Sequence, residues 1–113
     1  MDELTWLQSW YVEQCDGDWE HSFGVHIGTL DNPGWSLDID LAETPLEDLV
    51  RPNHFEERDE NDWIAYEFKE RKFIGHCGPR NLSELIRVFQ QVWMESASAA
   101  TEAGSREPVA GSP

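Results

Sequence analysis

The chain has 113 residues, a mass of 13.0 kDa and a formal net charge of -15 at pH 7. This length fits one domain, and so large an excess of negative charge argues against nucleic acid or an anionic membrane as partner, because both require cationic contacts. Residues 1–50 carry twelve acidic residues and no Lys or Arg, whereas residues 51–113 carry eleven acidic and eight basic residues.

Aromatic residues distinguish this chain from a disordered acidic polypeptide. Six Trp, five Phe and two Tyr supply the large apolar areas that a compact core needs. The two cysteines, Cys15 and Cys77, are far apart and follow no secretory signal, and no stretch approaches the roughly 18 apolar residues of a membrane span. We therefore expect a folded, reduced, cytoplasmic protein.

The first predicted element is a helix over residues 3–14. Leu4, Leu7 and Tyr11 fall on one helical stripe, with acidic residues outside it. The following segment, residues 15–21, is polar, contains glycine and loses the helical period, so we expect a loop.

A two-residue period then predicts an antiparallel hairpin. The first strand places Val25 and Ile27 on one face, and the second, residues 35–41, places Asp38 and Asp40 opposite its apolar side chains. The Pro33-Gly34 pair between them indicates a type II turn, in which glycine accepts a positive φ.

The second half of the chain predicts three further strands and a second helix. The strands cover residues 54–59, with Phe55 facing the core, 64–68 and 72–77. Asn81 and Glu84 have the spacing of a helix N-cap, and an apolar stripe follows them to residue 93. We thus expect an α+β domain over residues 1–96, with a meander of about five antiparallel strands and both helices on one sheet face. Residues 97–113 lack large apolar side chains and predict a flexible tail.

The densest group of candidate functional residues follows the first helix. Asp16, Asp18, Glu20 and His21 are close in sequence, and such a group is typical of a solvated loop, a partner-binding surface or a metal or catalytic site. A calcium-binding loop of the EF-hand kind that began at Asp16 would need an acidic residue at its twelfth position, but Ile27 is there. The chain has no nucleotide-binding or metalloprotease fingerprint. We expect neither a metal ion nor a cofactor.

A thiolate enzyme is the main alternative from the residues. Cys15 as nucleophile, with His21 or His76 as base, would use the CDGDWEH segment. The DNPGW segment that includes Asp31 would complete a pocket. However, Cys15 ends a predicted helix, at the negative end of the dipole, and precedes three carboxylates that oppose thiolate formation. A small apolar role is the more ordinary interpretation of this cysteine.

Two long motifs, CDGDWEH at residues 15–21 and TLDNPGW at residues 29–35, resemble the immunity protein 53 family. The resemblance continues through the DWI segment at residues 62–64 and the KFIG segment at residues 72–75, and it covers residues 4–95. It implies a bacterial protein of a polymorphic toxin system that binds the toxin made alongside it and blocks that toxin in the producing cell. The resemblance transfers no individual site residues.

The charge pattern adds a hypothesis for how such binding works. A rigid acidic surface can occupy a basic cleft of a toxin, and its field raises the association rate. We expect the loop and the polar side of the hairpin to form this surface, through Asp16, Asp18, Trp19, Glu20, His21, Asp31, Asn32, Asp38 and Asp40. Trp19 would be its aromatic anchor. The more ordinary interpretation is an aromatic side chain that packs under the loop. A small enzyme and an interaction module unrelated to toxins remain open as alternatives.

Overall fold

The computed structural model describes the backbone of residues 2–106 and the side chains of residues 2–96. Within these described residues, three helices and five strands follow one another. They are α1 (Glu3–Gln14), α2 (Trp19–Ser22), β1 (Val25–Leu30), β2 (Gly34–Asp40), β3 (Arg51–Asp59), β4 (Asp62–Lys69), β5 (Lys72–Cys77) and α3 (Leu82–Arg106). The predicted α+β fold is confirmed, including the first helix at residues 3–14.

The first helix begins where its sequence supplies a cap. The Thr5 backbone N–H donates to Asp2 Oδ1 at 2.7 Å, which satisfies one of the donors left free at a helix N-terminus. Leu7 and Trp10 are the buried residues of α1. The apolar side of α1 is therefore narrow and is dominated by one tryptophan.

The five strands form one antiparallel sheet in the order β1-β2-β5-β4-β3. The expected meander is wrong, because β2 pairs with β5 and not with β3. The consecutive strands that pair are β1 with β2, β3 with β4, and β4 with β5. The connection after β2 consists of successive turns and buries Leu41 and Leu46 in the core. All nine residues of β3 are exposed and include Pro52, which suits an edge strand, whereas the central β5 alternates between buried and half-buried residues.

The β1–β2 turn differs from the type II geometry. Gly34 does not have a positive φ; it is the first residue of β2 and pairs with Leu30. Its glycine identity has another cause, because a Cβ at this position would clash with the backbone oxygen of Cys77. The close approach of two chain segments, rather than turn geometry, requires glycine here.

Both long helices cover the same face of the sheet, as expected. The Phe89 ring of α3 lies 5.3 Å from the Phe73 ring of β5 and 5.3 Å from the Trp10 ring of α1. Gly75 lets α3 approach closely, since a Cβ there would lie 2.9 Å from a methyl carbon of Leu85. Helix and sheet thus share one aromatic core.

We call the opposite side of the sheet the open face, because no other element of the described residues packs on it. Strand register places a row of paired residues across this face, from His26 through Asp38 and Ile74 to Glu67. Most of these side chains are half-buried or exposed. The open face is therefore available to solvent or to a partner.

The second long helix begins at the predicted position, although its cap differs. The Leu85 N–H donates to the backbone oxygen of Asn81 at 2.9 Å, while the Asn81 side chain donates to Glu84 Oε1 at 3.0 Å. The α3 backbone continues to Arg106. The side chains of the predicted tail, residues 97–113, and the backbone of residues 107–113 lie outside the described residues, and its flexibility stays a prediction.

Within the described part of the chain, none of the helices combines the length and apolar character that crossing a membrane requires.

Replacing Gly75 by alanine tests the close packing of α3 on β5. The added Cβ would force Leu85 or α3 to move, so we expect the free energy of unfolding to fall by about 1–3 kcal/mol. Gly24→Ala is the matched control, because a Cβ there meets no atom within 4 Å, and it should stay within about 0.5 kcal/mol. Urea unfolding of both variants measures the difference, and equal losses would contradict this packing.

Candidate functional site

The segment between α1 and β1, residues 15–24, contains the short helix α2 where a loop was expected, and we call this segment the α1–β1 loop. Two of its carboxylates accept hydrogen bonds from its own backbone. Asp16 Oδ1 accepts from the N–H groups of Asp18 and Trp19, both at 2.9 Å. Glu20 accepts from the N–H groups of Asp16 and Gly17, each at 2.9 Å. These bonds stabilise the charged forms of both acids. The hydrogen bond from Trp19 chiefly lowers the pKa of Asp16, and the bond from its own N–H chiefly lowers that of Glu20, with desolvation opposing both.

Trp19 lies inside the molecule, so its expected role as an exposed anchor is wrong. Its side chain is only 3% exposed, and its indole N–H donates to the Ala42 backbone oxygen at 2.9 Å. Its ring lies 6.0 Å from the rings of both Trp10 and Phe23. A buried aromatic under a polar loop is the physical reason that an acidic segment contains a tryptophan. The surface of this loop is left to exposed Asp18 and His21.

The acids of β2 differ from each other in their surroundings. Asp40 Oδ2 accepts from the Gly24 N–H at 2.9 Å, and its Oδ1 lies 4.0 Å from Lys72 Nζ, so this carboxylate is occupied within the fold. Asp38 lies on the open face, half-buried, and pairs in register with His26 on β1. The two acids are at the end of the hairpin where β1 begins.

Asp31 and Asn32 lie at the other end of that hairpin. Both are exposed in the turn after β1, whose six residues span about 20 Å. The predicted site residues therefore fall into three groups: the α1–β1 loop, the open side of β2 and the hairpin turn. The structure does not bring the three groups together.

The same separation disagrees with the thiolate alternative. Cys15 and His21 precede β1 and Asp31 follows it, so the three cannot converge on one pocket. The Cys15 thiol instead donates to the Tyr11 backbone oxygen at 3.3 Å. Burial raises the pKa of Cys77 to about 11, which keeps its thiol protonated at neutral pH. No group of three or more potential metal ligands occurs within the described residues.

A groove of about 590 Å³ lies on the open face. Phe55, Glu57, Glu60 and Trp63 line it and are not among the predicted site residues. We call it the aromatic groove; it is lined by Asn32, Pro33, Phe55, Glu57, Glu60, Asn61 and Trp63. The Phe55 and Trp63 rings lie 6.3 Å apart. Phe55 is 57% exposed and faces away from the core, contrary to expectation, because it pairs with Ala65 of the open face. The acidic residues next to Phe55 in the sequence indicate an exposed strand.

Charge is distributed unevenly around this groove. Arg58, the nearest base in sequence, is held toward α3 by Asp62 at 2.8 Å and Glu84 at 2.6 Å. The other bases of the open face, Lys69 and Lys72, are at the β4–β5 turn, at the far end of the sheet. Among the described residues Glu57 and Glu60 have no ion-pair partner. The groove end of the open face is therefore negative.

A family model for immunity protein 53 matches residues 4–95. No curated protein and no solved structure matches the chain.

Substitution of Trp19 separates its structural role from a surface role. Trp19→Phe removes the donor to the buried Ala42 oxygen, so we expect a loss of about 1–3 kcal/mol in the free energy of unfolding. Chemical unfolding followed by circular dichroism measures it. An unchanged stability would show that the indole does not support the loop, and His21→Ala serves as a surface control expected to change stability little.

The loop carboxylates also predict a pH dependence. Because the folded-state pKa values of Asp16 and Glu20 are lowered from 3.8 and 4.5, their contribution to stability is fully present above those values. It is lost as the pH falls through the folded-state values. The double variant Asp16→Asn, Glu20→Gln should therefore flatten the fall in melting temperature as the pH decreases below about 5. Asp18→Asn is the control, and an identical slope in the double variant and the wild type would contradict the assignment.

Proposed function

The chain belongs to the immunity protein 53 family, and on this basis we propose that it binds a cognate toxin and neutralises it in the cytoplasm of the cell that makes both. The binding surface in this proposal is the acidic open face together with the turn at its end. The interaction is one between proteins, with no cofactor and no enzymatic step by this chain.

One observation carries the proposal: the uncovered side of the sheet has negative charge that the chain does not neutralise. Asp31, Glu57 and Glu60 have no ion-pair partner among the described residues. Lys69 and Lys72, the bases on this side, lie within 4.0 Å of carboxylates of their own strands or neighbours. A net negative field on an uncovered face favours a basic partner and accelerates its approach.

The loop residues contribute to this surface in two ways. Asp18 and His21 are exposed and free to contact a partner at the β1 end. The carboxylates of Asp16, Glu20 and Asp40 already accept backbone hydrogen bonds, so they would add charge to the field and fix the loop's shape. Fixed carboxylates lose little conformational entropy on binding, which favours a preorganised inhibitor.

A toxin that acts on nucleic acid offers a natural complement. Its active site needs cationic side chains to hold phosphates, and carboxylates on a rigid sheet can take the place of those phosphates. Such binding would block access of substrate to the cleft. The enzyme alternative has no comparable support, because the residues that it requires lie at opposite ends of β1.

Co-expression with the toxin domain encoded next to this chain tests the function itself. We expect restored growth of the host cells and a complex that co-purifies. Toxicity that persists when this chain is abundant and folded, with no complex recovered, would contradict neutralisation by binding.

Association kinetics test the surface. The triple charge reversal Asp18→Lys, Asp31→Lys, Asp38→Lys should slow association with the toxin domain by about 10- to 1,000-fold at low salt, and added salt should reduce the difference. Glu13→Lys with Glu95→Lys reverses exposed charges on the two long helices and is the control. Equal slowing by both sets in stopped-flow measurements would contradict a localised acidic surface.

A further inference from the structure

We propose that the aromatic groove is the anchor point of the complex and receives an arginine side chain of the toxin. This inference rests on the proposed function and identifies the chemistry of its contact. It assigns the decisive contacts to Phe55, Glu57, Glu60 and Trp63, which lie outside the charged segments of the first half of the chain.

The groove combines an aromatic floor with an acidic rim. Phe55 is 57% exposed although it is a large apolar side chain, and the half-buried Trp63 lies beside it at 6.3 Å. Register pairs Glu57 with Trp63, so carboxylate and indole project from neighbouring strands to the same side. Exposed aromatics within a recess are typical of the residues that dominate binding free energy.

This combination fits a guanidinium better than other groups. A planar cation can stack on an aromatic face within about 6 Å of the ring while its N–H fork donates to carboxylates. Arginine is less strongly hydrated than lysine, so entering a partly apolar recess costs it less. An aliphatic or acidic side chain would leave Glu57 and Glu60 buried without a partner, which is unfavourable.

The chain itself does not supply a guanidinium to the aromatic groove. Arg58, the base adjacent to Glu57 in sequence, makes ion pairs with Glu56, Asp62 and Glu84. These contacts hold its guanidinium toward α3, on the opposite side of β3. Arg80 lines a neighbouring recess that shares Asn61 with the groove, but it does not line the groove itself, whose lining contains no base. We therefore assign the complementary cation to a partner.

The neighbouring edge strand favours insertion of a side chain over addition of a strand. β3 has register shifts between Arg51 and His54 and between Glu57 and Asp59, and it contains Pro52. Such irregularities and charges oppose pairing with another extended chain. The partner would therefore approach the face of the sheet.

Affinity measurements on the full chain and the toxin domain encoded next to it test the anchor. Phe55→Ala should raise the dissociation constant about 10- to 100-fold, as expected for a hot-spot residue. Phe55→Tyr keeps the ring and should bind nearly as tightly as the wild type. The double variant Glu57→Gln, Glu60→Gln should weaken binding at least about 10-fold. Glu13→Gln with Glu95→Gln removes the same charge from the helices and should change the constant less than about threefold.

Arginine scanning of the toxin domain completes the test. Changing one toxin arginine to lysine should weaken the binding of the toxin to the wild-type chain. The same change should weaken binding to the Glu57, Glu60 double variant little further, because two residues in direct contact have non-additive effects. If the effect of every toxin arginine substitution adds to the effect of the groove variants, the anchor is contradicted. If the wild type binds and the Phe55 and Glu57, Glu60 variants bind with the same affinity, the anchor alone is contradicted. If the wild type itself does not bind, the proposed function is contradicted.

Discussion

Close packing of aromatic side chains on one face of the sheet is the constraint on which the rest of this structure depends. Phe89 on α3 contacts both Phe73 of the sheet and Trp10 of α1, with a ring-centroid distance of 5.3 Å to each. Three aromatic rings bury a large apolar area in a small domain, which offsets much of the entropy lost on folding. Because both long helices are committed to this core, the other sheet face is left uncovered. The availability of a binding surface is thus a consequence of where the aromatic residues pack.

The acidic residues of the chain divide between two physical roles. Asp16, Glu20 and Asp40 accept backbone hydrogen bonds, which stabilises their charged forms and fixes the loop and the start of the hairpin. Glu57 and Glu60 have no such partner among the described residues, so their charge remains directed to solvent. The net charge of -15 alone does not distinguish these roles. A partner can pair with the acidic groups that the fold leaves without a partner, and two of these, Glu57 and Glu60, line the aromatic groove.

Arg58 shows how the fold maintains that asymmetry. The residue lies within a strongly acidic stretch of β3. Because Glu57 lies on the open face, strand alternation places Arg58 on the helix side of β3, where Glu84 on α3 accepts its guanidinium at 2.6 Å. This ion pair keeps a cation away from the open face and joins the β3–β4 hairpin to the first turn of α3.

The sequence by itself determined the local elements: the helix at residues 3–14, the hairpin, the start of α3 and the α+β class all follow from periodicity, because local spacing decides which face of an element is apolar. The family also followed from the sequence, through two motifs. Tertiary structure alone decided the strand order, since the long connection after β2 gives no periodic signal of where the chain returns. It also decided the site: Trp19 is buried and Phe55 exposed because strand register and loop closure, not local spacing, set which side chains meet the helices.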